Sequence, residues 1–303
     1  MKKKSDQCTN KKRRRLFGLP MLVILIGFVM LISGIIHTNN FYSGKLYSNY
    51  AILKEKDTGK TLFKRHADQP IYPASLTKIM TALIAIETFD NLDAVITLNP
   101  EIFPPLYAQE ASMAGFAPGE TLTVQTLLYG TLLASGAECS VALAEAAFGS
   151  EKAFVTQMNL KAEQIGMTHT VFKNVTGLDI DGQYSTVADL ALLLEIALDN
   201  PTFYTIFTTS TYTSEPTFVH PEGITIRSTF FSKESADVTG GSIIGAKTGY
   251  TELAVRCLAS AAQIGGKTFI LVTADANGDF PNSEALPAQD ARSLYHQVYR
   301  TSY

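Results

Sequence analysis

The stretch PASLTKIMTALIAIE, residues 73–87, combines a helical pattern with a serine and a lysine placed one turn apart. The pattern predicts a helix from Ser75 to about residue 87, with apolar positions at helical spacing: Ile79, Leu83 and Ile86. Because residues three apart share a helix face, the Lys78 amine is expected beside the Ser75 hydroxyl. A serine becomes a strong nucleophile when a neighbouring base takes its proton, and a lysine is such a base when burial lowers its pKa. The segment therefore predicts a serine–lysine pair, but S-x-x-K is common by chance and needs support from elsewhere.

The segments on either side of this helix predict an α+β fold. Upstream, residues 50–54 and 61–64 have the pattern of two strands around a turn at residues 57–60. Downstream, helical patterns and then short strand-like runs follow each other. The helices are predicted at residues 122–133, 140–148, 186–198 and 288–299, and the strands at 225–231, 243–248, 257–263 and 268–274. We expect the first and last segments to meet in one antiparallel sheet flanked by helices.

The N-terminal 36 residues differ from the rest in charge and hydropathy. Residues 1–15 carry eight Lys or Arg against Asp6 alone, a net charge of +7, so the remainder carries −10 of the total of −3. Residues 16–36 contain no charge, and as a helix they would span roughly 32 Å, about the thickness of a bilayer core. The basic block favours a cytoplasmic N-terminus.

This pattern predicts four segments. We expect a cytoplasmic segment at residues 1–15, an uncleaved transmembrane anchor at 16–36, a linker at 37–49 and an extracytoplasmic domain at 50–303. A cleaved signal peptide is the alternative interpretation of the apolar run.

Composition disfavours two other kinds of protein. The acidic remainder of the chain does not suit a nucleic-acid binder, which needs a basic face. The five histidines are scattered, without an H-E-x-x-H or H-x-H pair, which disfavours a zinc peptidase, and no metal or cofactor is expected. Cys139 and Cys257 are interpreted as buried small residues, although a disulfide between them would survive outside the cell.

Two further triplets carry side chains suited to binding a peptide. Lys247-Thr248-Gly249 ends a strand-like run, where a lysine and a hydroxyl can bind a carboxylate and a glycine lets a substrate backbone approach. Ser135-Gly136-Ala137 lies in a loop between two predicted helices. Neither triplet is informative alone. Their order after Ser75 is similar to the S-x-x-K, S-D-N and K-T-G set of penicillin-binding proteins and class A β-lactamases.

The chain resembles the low-molecular-weight penicillin-binding D-alanyl-D-alanine carboxypeptidases from about residue 52 to its C-terminus. The segments that carry the resemblance are residues 73–87, FAPGETLTVQTLLYGTLLASGAECSVALAE (116–145), FKNVTGLD (172–179), QYSTVADLALL (183–193) and GAKTGYT (245–251). The resemblance implies the fold of serine β-lactamases and penicillin-binding transpeptidases, with an all-helical subdomain. It also implies a partner, a peptidoglycan stem peptide or lipid-linked precursor ending in D-Ala-D-Ala, and covalent inhibition by β-lactams.

The same resemblance assigns roles to individual residues. Ser75 would be the acylated nucleophile and Lys78 its base. Ser135 would pass a proton to the leaving D-alanine and contact both Lys78 and Lys247. Lys247 and Thr248 would hold the terminal carboxylate of the substrate, with Gly249 leaving room for its backbone.

The resemblance also bears on the oxyanion hole, on Arg256 and on Ala137. The backbone N–H groups of Ser75 and Tyr250 would form the oxyanion hole. Arg256, on the next predicted strand, is expected either to add a second carboxylate contact or to be a solvated strand residue. The family usually has Asn where this chain has Ala137, so Glu138, a water or another segment would take its place, or activity would be reduced.

Other functions remain open at this point. A β-lactamase would share the same catalytic residues, and Glu195-Ile196-Ala197-Leu198-Asp199 is similar to the E-x-x-L-N loop that supplies its base; helical spacing around it instead predicts that Glu195 lies within a helix. A non-hydrolytic penicillin-binding sensor is supported only by Ala137. The layout of an N-terminal anchor joined to the domain by a short linker resembles that of accessory carboxypeptidases of glycopeptide resistance. This resemblance implies action near the membrane on D-Ala or D-lactate termini.

Overall fold

The computed structural model describes residues 41–278 and 285–302 and confirms the prediction of an α+β fold. Its strands are β1 Ser48–Glu55, β2 Thr61–Arg65, β3 Val95–Thr97, β4 Thr121–Thr123, β5 Thr211–Thr213, β6 Thr225–Arg227, β7 Asp237–Val238, β8 Gly241–Thr251, β9 Val255–Ile264 and β10 Lys267–Ala276. Six of them form one antiparallel sheet in the order β2-β1-β10-β9-β8-β7. The pairs β3–β4 and β5–β6 form two small antiparallel sheets.

The central sheet joins the two ends of the described chain, as the sequence predicts. β1 pairs with β10 from Ser48↔Ala276 to Glu55↔Phe269. The predicted hairpin between the last two strands is β9–β10, and its turn is Gly265-Gly266, where both residues have positive φ. Positive φ is costly for residues with a Cβ, which is why two glycines suit this turn.

The helices are α1 Thr77–Thr88, α2 Phe103–Ala108, α3 Val124–Leu132, α4 Ala137–Phe148, α5 Glu151–Ile165, α6 Val187–Ala197, α7 Pro201–Phe207 and α8 Leu286–Ser302. α1 is the central helix: every residue from Thr77 to Ala85 is buried, and it contacts α3, α4, α5, α6 and α7. α8 packs on β9 and β10. The apolar core runs between the sheet and this helical cluster, so α1 is held on all sides and its first turn is fixed in place.

Three local predictions differ from the structure, and one short helix, α7, was not predicted. Residues 121–123 form β4 before the predicted helix 122–133, because the Thr123 hydroxyl accepts the Thr126 N–H and caps α3. The predicted helix 140–148 begins earlier, at Ala137. Of the predicted strand 225–231 only residues 225–227 are extended. Asn200-Pro201 ends α6 as predicted, but it also starts α7, since Asn200 caps that helix and proline is tolerated at its first position.

Among the described residues, strand β1 begins slightly before the predicted linker ends. The N–H groups of Tyr47 and Ser48 donate to the Asp290 carboxylate of α8 at 2.9 and 2.7 Å, and β1 starts at Ser48. The predicted anchor at residues 16–36 lies outside the described residues. Within the described ranges, no single helix has the length and hydropathy of a membrane span; α6 and α7 reach them only as a pair bent by 112°.

Candidate active site

Ser75 lies in a short 3₁₀ turn, Ala74–Leu76, that leads directly into α1. The Lys78 Nζ is 3.2 Å from the Ser75 Oγ, so the predicted serine–lysine pair is present. Ser75 is partly exposed, whereas Lys78 is buried with only 2% of its surface accessible. Ala74 has φ of 45°, a left-handed conformation that is strained for a residue with a Cβ. The turn therefore presents Ser75 to the cleft from a backbone that its surroundings hold in place.

The environment of Lys78 favours its neutral form. Burial lowers the pKa of Lys78 from 10.5 to about 7, and the nearby negative charge of Glu138 partly opposes this shift. The Lys78 Nζ also donates to the Thr176 carbonyl at 2.7 Å, and this hydrogen bond holds the amine beside the Ser75 hydroxyl. A lysine with a pKa near neutrality has a free lone pair in a large fraction of molecules at pH 7, as a base for a serine requires.

A loop between α5 and α6 holds the carbonyl that positions Lys78. The Gln183 side chain accepts the N–H groups of Lys173 and Asn174 at 2.9 and 3.2 Å, and Asn174 accepts the Gly177 N–H at 2.7 Å. Gly177 has φ of 82°, and a Cβ there would lie 1.8 Å from the Ala74 carbonyl oxygen. The loop is thus packed directly against the turn that carries the nucleophile, a contact the sequence reasoning missed because it involves backbone atoms.

Ser135 and Lys247 meet on the other side of the cleft. Ser135 lies between α3 and α4 with φ of 63°, and its Oγ accepts from the Lys247 Nζ at 2.9 Å. Lys247, on β8, is fully buried and also donates to the Thr248 carbonyl at 2.8 Å. Burial, together with the positive charge of Lys78, holds the pKa of Lys247 well below its usual range. The two lysines are therefore close enough to interact electrostatically.

The end of β8 forms the wall beside the nucleophile. β8 pairs with β9 through Lys247↔Ala259, Thr248↔Leu258, Gly249↔Cys257 and Tyr250↔Arg256. A Cβ on Gly249 would lie 3.1 Å from the Ala74 Cβ and 3.3 Å from the Ser75 N, so the strand runs tightly along the nucleophile turn. The Thr248 hydroxyl is 2.6 Å from the Thr229 hydroxyl, and this hydrogen bond orients Thr248. No sequence motif marks Thr229.

Two residues singled out in the sequence have specific surroundings in the structure. The Arg256 guanidinium lies over the Tyr250 ring, 5.4 Å from its centroid, beside the end of β8. Ala137 donates its N–H to the Ser112 carbonyl at 2.8 Å and has no polar side chain. The buried Glu138 instead accepts from the N–H groups of Ala114 and Gly115 at 2.7 and 3.0 Å. Glu138 therefore fixes the segment that faces the start of α4.

The Glu138 carboxyl is an unusual buried group. Its Oε2 has no hydrogen-bond partner among the described residues. Burial raises the pKa of Glu138, while the backbone N–H groups that it accepts from lower it. Its charge is the largest of the influences that raise the pKa of Lys78.

The structure also places the residues considered for a β-lactamase base, a disulfide and a metal site. Glu195 is in α6, as its helical spacing predicts, and forms an ion pair with Lys54 of β1. Cys139 and Cys257 are both buried and free, in agreement with their interpretation as small buried residues. Among residues 41–278 and 285–302, no group of three or more His, Cys, Asp or Glu side chains is arranged to hold a metal ion.

The arrangement supports acyl transfer. Ser75 pairs with a lysine whose pKa is near neutrality, and Ser135 pairs with a second lysine whose pKa is influenced by the first. The wall formed by β8 brings Gly249 next to the Ser75 N. Tyr250, whose N–H is expected to share the oxyanion hole with that of Ser75, follows Gly249 directly in β8.

Comparison with known proteins gives a consistent result. The sequence profile of peptidase family S11, described as D-alanyl-D-alanine carboxypeptidase, matches residues 38–278. The chain is 36% identical over 243 residues to D-alanyl-D-alanine carboxypeptidase DacF of Bacillus subtilis, with 75% of this chain and 57% of that protein covered. It is 33% identical over 241 residues to the D-alanyl-D-alanine carboxypeptidase of Streptomyces sp. strain K15, with 77% and 80% covered.

The fold has the same relatives. The crystal structure of the Streptomyces K15 DD-transpeptidase superposes with a TM-score of 0.74 at 29% identity, covering 86% of this chain and 100% of that one. The expected fold of the penicillin-binding transpeptidases is thereby confirmed.

Proposed function

The chain belongs to the D-alanyl-D-alanine carboxypeptidase family of serine peptidases, and from this premise we propose that it removes the C-terminal D-alanine from peptidoglycan pentapeptides. The observation that carries the proposal is the Lys78–Ser75–Thr176 geometry, in which a buried lysine contacts both the serine hydroxyl and a fixed carbonyl. Since the chain spans 57% of the length of DacF, the proposal concerns the catalytic part that the two proteins share.

In the first chemical step, the neutral Lys78 takes the proton of Ser75 as the Oγ attacks the carbonyl of the penultimate D-alanine. The backbone N–H groups of Ser75 and Tyr250 stabilise the resulting oxyanion. The C–N bond then breaks, and the leaving amine takes a proton through the Ser135 hydroxyl. Water subsequently attacks the acyl-enzyme, releasing the shortened peptide and restoring Ser75.

Binding of the peptide terminus is assigned to the strand side. Lys247 and Thr248 would bind the terminal carboxylate, and Gly249 would leave room for the substrate backbone. Arg256, whose guanidinium lies over the Tyr250 ring, would add a second cation near the carboxylate.

The membrane location is part of the same proposal. The uncharged residues 16–36, preceded by a basic block, support a single-pass anchor with the N-terminus in the cytoplasm and the catalytic domain outside. A domain held close to the bilayer fits lipid-linked precursors or newly inserted pentapeptides. Action on precursors that end in D-lactate, and a role in glycopeptide resistance, extend this proposal. Both are tested by comparing turnover of precursors that end in D-Ala with turnover of precursors that end in D-lactate.

The test uses the full-length chain in detergent. It is treated with a penicillin, and the covalent adduct is located by peptide mass spectrometry; D-alanine release is then measured on a soluble pentapeptide. We expect the adduct on Ser75, and Ser75→Ala should lose both the adduct and about 10³-fold or more of the activity, as removal of a nucleophile usually does.

The same experiment separates the alternatives. A penicillin that is released rapidly as its hydrolysed product would favour a β-lactamase. A persistent adduct without D-alanine release would favour a sensor. Addition of an amine acceptor tests transfer in place of hydrolysis, the activity for which the Streptomyces K15 DD-transpeptidase is named.

A further inference from the structure

Three exposed apolar side chains lie together at one end of the six-stranded sheet. Tyr250 is 61% exposed at the end of β8, and Leu253 is 57% exposed in the turn that follows. Ile180, 45% exposed, is held beside them because its neighbour Asp179 accepts from the Thr251 hydroxyl at 2.7 Å and from the Leu253 N–H at 3.2 Å. We call Tyr250, Leu253 and Ile180 the apolar rim.

The apolar rim borders the mouth of the cleft. Gly249, which packs against the Ser75 N, immediately precedes Tyr250. Leu253 follows three residues later, a separation of at most about 10 Å along an extended chain. The rim therefore lies where a substrate would approach Ser75.

The chain joins the folded body at this same end of the sheet. β1 starts at Ser48, which pairs with Ala276 at the end of β10, and β9 starts at Val255, which pairs with Thr251 at the end of β8. Because neighbouring strands are about 4.8 Å apart, the start of β1 and the end of β8 are separated by three steps, roughly 14 Å. The opposite end of β9 carries the Gly265-Gly266 turn.

The connection between the apolar run and the body is short. Nine residues, 37–45, lie between Ile36 and Leu46, which is the first buried residue of the described chain. They reach at most about 35 Å when fully extended. If residues 16–36 span a bilayer, the chain that leaves it enters the sheet at the end that carries the apolar rim.

We propose that the apolar rim rests on the outer surface of the lipid bilayer, an inference that depends on the membrane anchor proposed above. Tyrosine and leucine suit the boundary between headgroups and acyl chains, where interfacial side chains enter by about 5–10 Å. Glu252 and Asp181 are exposed beside the rim, so attraction to anionic lipid does not account for the contact. Insertion of apolar side chains accounts for it and is largely independent of salt.

The absence of tryptophan from the chain allows a direct test, since one introduced tryptophan is then the only such fluorophore. Single variants Leu253→Trp and Ile180→Trp of the full-length protein are placed in phosphatidylcholine nanodiscs with or without brominated acyl chains, which quench tryptophan on contact. We expect loss of fluorescence with brominated lipid for both variants.

Two further variants serve as references. Gln263→Trp is the matched control, because Gln263 is exposed near the far end of β9, ten residues from Leu253 and at most about 33 Å along the strand. Phe28→Trp, within the apolar run, reports on the anchor itself. Acylation of each variant by a penicillin at the wild-type rate shows that the fold is intact.

The outcomes separate the two proposals. Quenching at positions 28, 253 and 180 but not at 263 supports the rim contact. Quenching at 28 alone overturns the rim contact and leaves the anchor. Absence of quenching at 28 overturns the anchor and the rim contact with it, while the chemistry at Ser75 is judged by its own assay. A fluorescence change at 253 that follows protein concentration and not bromine would assign the rim to a second copy of the chain, and would also overturn the proposal.

Discussion

The active site has a helix side, where α1 carries Lys78, and a strand side, where β8 carries Lys247. Both lysines are buried, and each donates to a serine hydroxyl and to a backbone carbonyl. Their electrostatic surroundings differ. Lys78 is influenced by the negative charge of Glu138, which raises its pKa and limits the effect of burial. Lys247 has the positive charge of Lys78 as its neighbour, which lowers its pKa further.

This difference separates two tasks that use the same residue type. Lys78 keeps a pKa of about 7, so it exchanges a proton with Ser75 at physiological pH. Burial and the positive charge of Lys78 hold the pKa of Lys247 well below its usual range, and an anionic peptide terminus would favour the charged form of Lys247. The comparison predicts that a change on the helix side affects chemistry and that a change on the strand side affects recognition.

The largest expected effect follows from removing the base. Lys78→Met keeps the length and apolar stem of the side chain but cannot take the Ser75 proton. We expect kcat/KM for a pentapeptide to fall by about 10²–10⁴-fold, the range of general-base contributions. Lys54→Met, which removes a lysine that pairs with Glu195 and with neither Ser75 nor Ser135, is the control and should stay near wild type. Activity retained by Lys78→Met would assign the proton to another group.

The next effect tests recognition. Lys247→Met should lower kcat/KM for a pentapeptide with a free C-terminal carboxylate by roughly 30-fold or more, the consequence of truncating one partner of a buried charged contact. A C-terminal amide offers no anion, so the same variant should process it about as well as the wild type does. Equal losses on both peptides would contradict an assignment of Lys247 to carboxylate binding.

Dependence on pH sharpens the comparison. Lys78 must be neutral to act, and its pKa is about 7, so kcat/KM should rise with pH through this region. Glu138→Gln keeps an oxygen for the Ala114 and Gly115 N–H groups but removes the charge that raises the pKa of Lys78. The rise should therefore move to lower pH, as measured by a kcat/KM profile. A shift to higher pH would show that Glu138 does not act on Lys78 through its charge.

The smallest effect concerns the residue that is similar to a β-lactamase base. Glu195→Gln should leave penicillin acylation and release rates unchanged, because Glu195 pairs with Lys54 on β1. The ion pair is partly exposed, and its loss should lower the free energy of unfolding by no more than about 1 kcal/mol, as measured by urea denaturation. Slower penicillin release in this variant would reopen the β-lactamase interpretation.

Local periodicity was sufficient to predict the serine–lysine pair, since Ser75 and Lys78 are one helical turn apart. The contact between Ser135 and Lys247 joins residues 112 apart, and nothing in their own spacing predicts it; resemblance to a family supplied it. The Thr176 carbonyl has no side-chain signature at all. Short segments such as α7 were missed because the same Asn-Pro pair that ends one helix also starts the next.

Gly177 has a consequence for engineering this catalytic domain. Its α-carbon lies so close to the Ala74 carbonyl that no other amino acid fits without displacing the nucleophile turn. A graft that takes residues 73–78 from a homologue but keeps residues 172–183 of this chain would bring together two segments that did not pack against each other in either parent. Recombination libraries should therefore keep these distant segments together as one inherited block.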